Sequence, residues 1–116
     1  MELNTATRVF SALGNITRLR AFRALIEAGP TGLTAGAIAR SLDVPPSTLT
    51  AHLGRLVQAD LLQSWRSERN IYYAIRVEQV RDVVAYLTME CCRGQPELCG
   101  FEGKASAAGQ ELEDSA

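Results

Sequence analysis

Three consecutive pieces of the chain decide its fold: Thr34-Ala35-Gly36-Ala37-Ile38-Ala39-Arg40-Ser41-Leu42, then Asp43-Val44-Pro45-Pro46, then Ser47-Thr48-Leu49-Thr50-Ala51-His52-Leu53-Gly54-Arg55-Leu56-Val57-Gln58-Ala59. In the first piece Ala35, Ile38, Ala39 and Leu42 recur at three- and four-residue spacing, which predicts a short helix over residues 34–42. Two adjacent prolines cannot continue it, because proline lacks the backbone N–H and clashes with the preceding turn. Pro46 or Ser47 then opens a second helix reaching about residue 59, with Leu49, Leu53, Leu56 and Val57 as its apolar stripe. Two short helices joined by about four turn residues form a helix-turn-helix.

Upstream, Asn4 or Thr5 is a candidate cap for a first helix ending near residue 13, with Val9, Phe10 and Leu13 on one face. Gly14 ends it and Asn15 is placed to cap a second helix over residues 16–28. There Ile16, Leu19, Phe22 and Ile26 share a face that Ala24 and Leu25 widen, and Gly29-Pro30 stops the helix. Downstream the period changes from helical to alternating. Residues 61–66 and 71–75 read as strands around the polar turn Ser67-Glu68-Arg69-Asn70, which predicts a hairpin. A last helix over residues 78–92 carries Val80, Val83, Val84 and Leu87 before Gly94 and Pro96 break it. The expected fold is mainly α with a small β-hairpin, a winged helix-turn-helix of order α-α-α-α-β-β-α.

The helix after the turn carries the chemistry. At 100° per residue its leucines fall on one side, while Ser47, Thr48, Ala51, Gly54 and Arg55 fall on the other. A smooth, small-residue face can sink into the major groove, where hydroxyls and a forked guanidinium reach bases or phosphates. His52 sits at the flank, where it reads as a phosphate contact or a plain surface residue rather than a metal ligand. Arg66 and Arg69 at the hairpin tip are candidates for the neighbouring groove. Any one of these residues alone would read as an ordinary solvated surface; helix-turn-helix and wing together point to double-stranded DNA. Trp65, Tyr72 and Tyr73 read as wing packing.

The chain has 116 residues, which suits a single domain. No stretch approaches about 18 uninterrupted apolar residues, so no membrane span is expected, and Met1 to Leu13 lacks the basic start and apolar run of a secretory signal. The expected compartment is the cytoplasm. Net charge is −1, from 12 basic and 13 acidic residues. Residues 102–116 hold Glu102, Glu111, Glu113 and Asp114 against Lys104. Without them, 11 arginines face 9 carboxylates, a balance of +2. That is a faint version of the basic footprint of DNA binders, so the case rests on organisation. Residues 1–100 are expected to form the folded domain and 101–116 a disordered acidic tail. A small reductase is the rival enzyme reading. The chain offers no Gly-rich phosphate loop, no paired carboxylates in a plausible cleft and no Cys-x-x-Cys at a helix start, so no enzyme is expected.

Several of these motifs have a familiar form. Leu13-Gly14-Asn15-Ile16-Thr17-Arg18-Leu19-Arg20 resembles the LGDPTRLRIL signature of the ArsR, or ArsR–SmtB, family of metal-responsive repressors, with Asn15 and Ile16 in place of Asp-Pro. Ser47-Thr48-Leu49-Thr50-Ala51-His52-Leu53 is similar to that family's STVSHHL recognition helix, with Ala51 at its first histidine. The stretch from Arg66 through Tyr73 resembles its basic wing. The resemblance spans about residues 5–90. It implies a homodimer packed through its first and last helices, an operator of two half-sites about 34 Å apart, and release of DNA on binding an effector.

The family's cysteine site before the recognition helix and its histidine-containing site on the last helix have no counterparts here. What remains is Cys91, Cys92 and Cys99, all within nine residues. A C-terminal vicinal pair with a third cysteine resembles an arsenite-sensing subset of the family. The chemistry agrees: trivalent arsenic is soft and three-coordinate, soft thiolates suit soft ions, and zinc prefers four ligands. No permanent cofactor is expected; arsenite is the expected inducer, with antimonite as a further candidate. Buried structural cysteines, a Cys91–Cys99 or Cys92–Cys99 redox switch, and a cadmium, lead or zinc sensor are the competing readings of the same residues.

Overall fold

The computed structural model describes residues 1–90, with side chains described through Thr88. Cys91, Cys92, Cys99 and the acidic tail lie outside the described residues. The chain divides into two units, Met1–Val80 and Arg81–Ala116.

The first unit begins with α1 (Leu3–Leu13) and α2 (Ile16–Ala28), followed by a single 3₁₀ turn at Gly29–Thr31. Strand β1 (Leu33–Thr34), α3 (Ala35–Leu42) and α4 (Pro46–Gln58) come next, then β2 (Leu62–Ser67) and β3 (Asn70–Ile75). The last helix, α5 (Val77–Ala85), runs on into a π-helical turn at Tyr86–Glu90. The expected winged helix-turn-helix order is therefore observed, with one addition. Two-residue β1 pairs antiparallel with β3, so the wing is a three-stranded sheet of order β1-β3-β2. Two residues carry too little alternation to be seen in a sequence. Their pairing depends on Gly32, at φ +72°, where a Cβ would fall 2.2 Å from the Tyr73 carbonyl oxygen.

Local signals explain the helix starts. The Asn15 side chain accepts from the Arg18 N–H at 3.1 Å, and Thr34 Oγ1 accepts from the Ala37 N–H at 3.1 Å; each satisfies an otherwise orphan donor. Neither Asn4 nor Thr5 caps α1. That helix starts at Leu3 behind Glu2, with no side-chain cap. Asp43 ends α3 in the left-handed region, φ 57°. The hairpin closes in the two residues Glu68 and Arg69, with Glu68 at φ 58°, the positive φ that tight hairpin turns require at their first central position.

Leu25, Ile38, Leu49, Leu53, Leu56, Leu61, Leu62 and Val9 are fully buried and form the core. Of the expected α3 and α4 stripes, Ile38, Ala39, Leu42, Leu49, Leu53 and Leu56 are buried where these two helices pack together, while Ala35 and Val57 are only half-buried. The first two helices differ from expectation. Helix α1 buries Ala6, Val9 and Ala12 and leaves Phe10 on its outer side; α2 buries Ala21 and Leu25 and exposes Ile16, Leu19 and Ile26. Small alanines let these helices approach their neighbours closely, and α2 touches α1, α3, α4 and β3 at once. The narrow Ala-Leu ridge fits that crowded position better than a broad row of isoleucines. Burial pushes the Tyr73 phenol pKa up.

Candidate nucleic-acid interface

Helix α4 is held to the core by Leu49, Leu53 and Leu56, each with no exposed surface. That anchoring turns the opposite side outward. Ser47, Thr48, Ala51 and Arg55 are all exposed and Gly54 is half-buried, so the face is low and polar as the residue pattern requires. A Cβ added at Gly54 would meet nothing within 4 Å. Pro46 occupies the first turn of α4, and no side chain caps its start. The free N–H groups there give that end of α4 a partial positive charge. Thr50 is turned back on its own helix, its hydroxyl donating to the Pro46 carbonyl at 2.9 Å.

His52 has a more specific setting than its place in the sequence suggests. It is half-buried, and its Nδ1 lies 3.2 Å from Nη1 of Arg18 on α2. A guanidinium offers only donors. The contact therefore uses the Nδ1 lone pair and leaves the ring proton on Nε2, at the opposite edge. Arg18 also donates through Nε to the Ala12 carbonyl at the end of α1. One arginine thus ties α1, α2 and α4 together, and Arg20 adds a bond from Nη2 to the Leu42 carbonyl at 3.2 Å. Arg18 was legible only as part of a motif; its structural task depends on a residue 34 positions away.

The wing presents Arg66 and Arg69, both exposed, at the tip of β2 and β3. Behind them the cross-strand pair Trp65 and Tyr72 stack with ring centroids 5.6 Å apart and planes 10° from parallel, a geometry that stiffens the hairpin. At the other end of α4, Arg55 does not stand alone. It lines a cleft with Gln58 and with Arg8 and Ser11 of α1, three residues the sequence pattern does not single out. Among the described residues, no group of three or more His, Cys, Asp or Glu side chains is arranged to hold a metal ion.

With the geometry in place, comparison with known proteins is informative. Residues 13–64 match the family model described as "Helix-turn-helix domain". The match spans α2, the helix-turn-helix and the start of β2, somewhat under half of the chain. No curated protein matches the chain, but solved structures do. One is the homodimeric winged helix-turn-helix DNA-binding domain of a possible ArsR-family transcriptional regulator from Mycobacterium bovis. It is 28% identical, covers 76% of this chain and 84% of its own, and has a TM-score of 0.59. An ArsR-like transcriptional regulator from Rhodococcus sp. RHA1 is 23% identical over 91% of this chain and 95% of its own, with a TM-score of 0.68. The transcriptional repressor BigR from Xylella fastidiosa is 21% identical over 74% and 86%, with a TM-score of 0.59. The helix-turn-helix domain thus sits in a winged fold shared with transcriptional regulators of the ArsR type, and among the described residues no helix is long and apolar enough to cross a membrane.

Proposed function

We propose that this chain is a homodimeric transcriptional repressor of the ArsR type that binds double-stranded DNA and releases its operator when trivalent arsenic binds Cys91, Cys92 and Cys99. The observation that carries the DNA reading is the exposed, low face of α4, with Ser47, Thr48, Ala51 and Arg55 opposite a fully buried leucine stripe. Ser47, Thr48 and Arg55 read or clamp the groove, Ala51 allows close approach, and Arg66 and Arg69 hold the flank. His52 offers Nε2–H to a phosphate from a ring oriented by Arg18. The dimer is supported by the homodimeric Mycobacterium bovis neighbour and by exposed apolar side chains suited to pairing. Leu3 and Phe10 lie on one side of α1, and Val84 and Leu87 belong to the second unit.

The inducer reading rests on donor chemistry. Three thiolates complete the shell of a soft, three-coordinate semimetal, and the first two follow directly in sequence on the last described turn of the chain. Coupling between sites is reciprocal, so arsenite must bind the DNA-free form more tightly. A hundredfold loss of operator affinity needs only about 2.7 kcal/mol.

The test starts from a random duplex pool enriched on the purified protein under reducing conditions, followed by binding titrations on the selected duplex. Saturable binding that arsenite abolishes is the expected result. Single replacements Cys91→Ser, Cys92→Ser and Cys99→Ser should each keep DNA binding and lose the arsenite response. A response surviving one replacement means a two-thiol site. Release by peroxide but not arsenite selects the redox switch, and release by cadmium or lead alone selects a divalent sensor. Failure to enrich any duplex removes the DNA reading itself.

A further inference from the structure

The cleft between α1 and α4 gathers basic and polar side chains. Its volume is about 270 Å³, and it is lined by Arg8, Ser11, Ala12, Arg55, Gln58 and Ala59. Ala12 and Ala59 are 4% and 2% exposed and form a small-residue floor; the four polar residues form the walls. Two guanidiniums, a hydroxyl and an amide therefore converge on one small space with no carboxylate among its lining residues. A larger cleft of about 520 Å³ beside the turn places Arg40 with Asp43, so its charges balance. Like charges held across a narrow cleft repel, and an anion between them reverses the sign. Arginine forks match tetrahedral and planar oxyanions bidentately. The space falls below the range of about 300–1,000 Å³ usual for drug-sized ligands, which favours a single small group.

We infer that the α1–α4 cleft binds a phosphate oxyanion through Arg8, Ser11, Arg55 and Gln58. Its position suggests where the phosphate comes from. Ser47, Ala51 and Arg55 repeat every four residues along one face of α4, and Gln58 continues that line. Eight residues at 1.5 Å rise put Arg55 about 12 Å along the axis from Ser47, comparable to the roughly 12 Å width of the major groove. With the start of α4 in the groove, the cleft stands at its rim, where the backbone runs. Helix α1, which belongs to no reading element, then adds a DNA contact of its own. This source rests on the DNA reading proposed above; a free phosphate group is the other source of the same chemistry.

Arg8→Gln is the informative variant, because Arg8 is exposed and packs no core. On the selected duplex, each phosphate contact contributes about 0.9 to the slope of log affinity against log salt. Losing one contact per protomer should lower the dimer's slope by about 1.8. Between 50 and 200 mM salt, the variant then loses roughly tenfold less affinity than the parent. Its preference for selected over scrambled duplex should not change, since backbone contacts carry no sequence information. In parallel, inorganic phosphate is titrated into DNA-free protein and followed by amide chemical shifts of residues 8–12 and 55–59. A reduced salt slope supports the site with the DNA backbone as its source. An unchanged slope with saturable phosphate shifts that Arg8→Gln removes supports the site with a free phosphate as its source. An unchanged slope with no saturable shift overturns the inference, even if Arg66→Gln and Arg69→Gln still weaken DNA binding and leave the DNA reading intact. If the parent protein enriches no duplex, the DNA reading fails while the phosphate titration still decides the cleft.

Discussion

Helices α2 and α4 have the same length of 13 residues and similar numbers of aliphatic side chains, yet only one of them reveals its buried face in the sequence. In α4 the bulky residues Leu49, Leu53 and Leu56 fall in one stripe, and the opposite face holds Ser47, Thr48, Ala51 and Arg55. Only one orientation buries the apolar surface. In α2, Ile16, Leu19, Phe22, Leu25 and Ile26 spread over about half the circumference at 100° per residue, so the pattern leaves open which part of that broad face turns inward and the neighbours choose. They choose Ala21 and Leu25, leaving Ile16 76% exposed. A segregated pattern therefore predicts both a core face and a functional face, while a distributed pattern predicts only that a helix forms.

The largest test of this contrast removes an anchor of α4. Leu53 has no exposed surface, and Leu53→Ala should cost about 3 kcal/mol through lost transfer energy and the cavity left behind. Urea unfolding of the variant should show a lower midpoint with an unchanged denaturant slope. A loss under about 1 kcal/mol would mean that the stripe is not what holds α4 in place.

The same distinction governs how much of the molecule was readable in advance. The helix-turn-helix and the exposed face of α4 follow from segregated patterns and from Pro45-Pro46; the hairpin is legible too, but its turn is two residues long rather than the four of Ser67 to Asn70, because Ser67 and Asn70 pair with each other. Asn15 announces its cap by type and position, whereas Thr34, read from the sequence as the first residue of its helix, stands one place earlier as its cap. Strand β1 was hidden because two residues show no period, although Gly32 marks the tight approach that makes it possible. Phe10 was expected inside and lies at the outer side of α1, because Ala6 and Ala12 allow a closer helix contact than a phenyl ring would. The exposure of Ser47, Thr48, Ala51, Arg55, Arg66 and Arg69 was legible from residue type and phase. Arg8, Ser11 and Gln58 were not, because their meaning comes from α1 lying against α4. Arg18 was visible as a motif residue but not as the partner of His52. Long-range pairings of this kind leave no trace in the local pattern.

A second test separates stability from function on α4 itself. Gly54 sits in the helix interior, and a methyl group there meets nothing within 4 Å. Gly54→Ala should raise stability by about 0.5–1 kcal/mol, because alanine restricts the unfolded chain and favours helix. The same methyl stands at the edge of the face proposed to enter the groove and should weaken binding to the selected duplex. Thermal unfolding and DNA titration on one preparation should therefore move in opposite directions. If both improve, Gly54 lies outside the contact and the face that meets DNA must be narrowed to Ser47, Thr48, Ala51 and Arg55.

The smallest expected effect returns to α2, where the comparison is most easily broken. If Ile16 is on the outside of the fold, Ile16→Gln removes little buried surface and leaves the Asn15 cap intact. Stability should then stay within about 0.5 kcal/mol of the parent, against the roughly 3 kcal/mol expected for Leu53→Ala. Both residues are aliphatic, and each occupies a helix whose sequence marks it as apolar; only their burial differs. Sedimentation at several concentrations extends the test to the assembled protein. An unchanged dimer would place Ile16 outside the pairing surface and turn attention to the other exposed apolar side chains of the first unit, Leu3 and Phe10 of α1 first. A loss of stability that grows as the protein is diluted would instead show that α2's exposed isoleucine is covered by a second copy. Its distributed pattern would then reflect two buried faces, one serving the core and one serving the dimer.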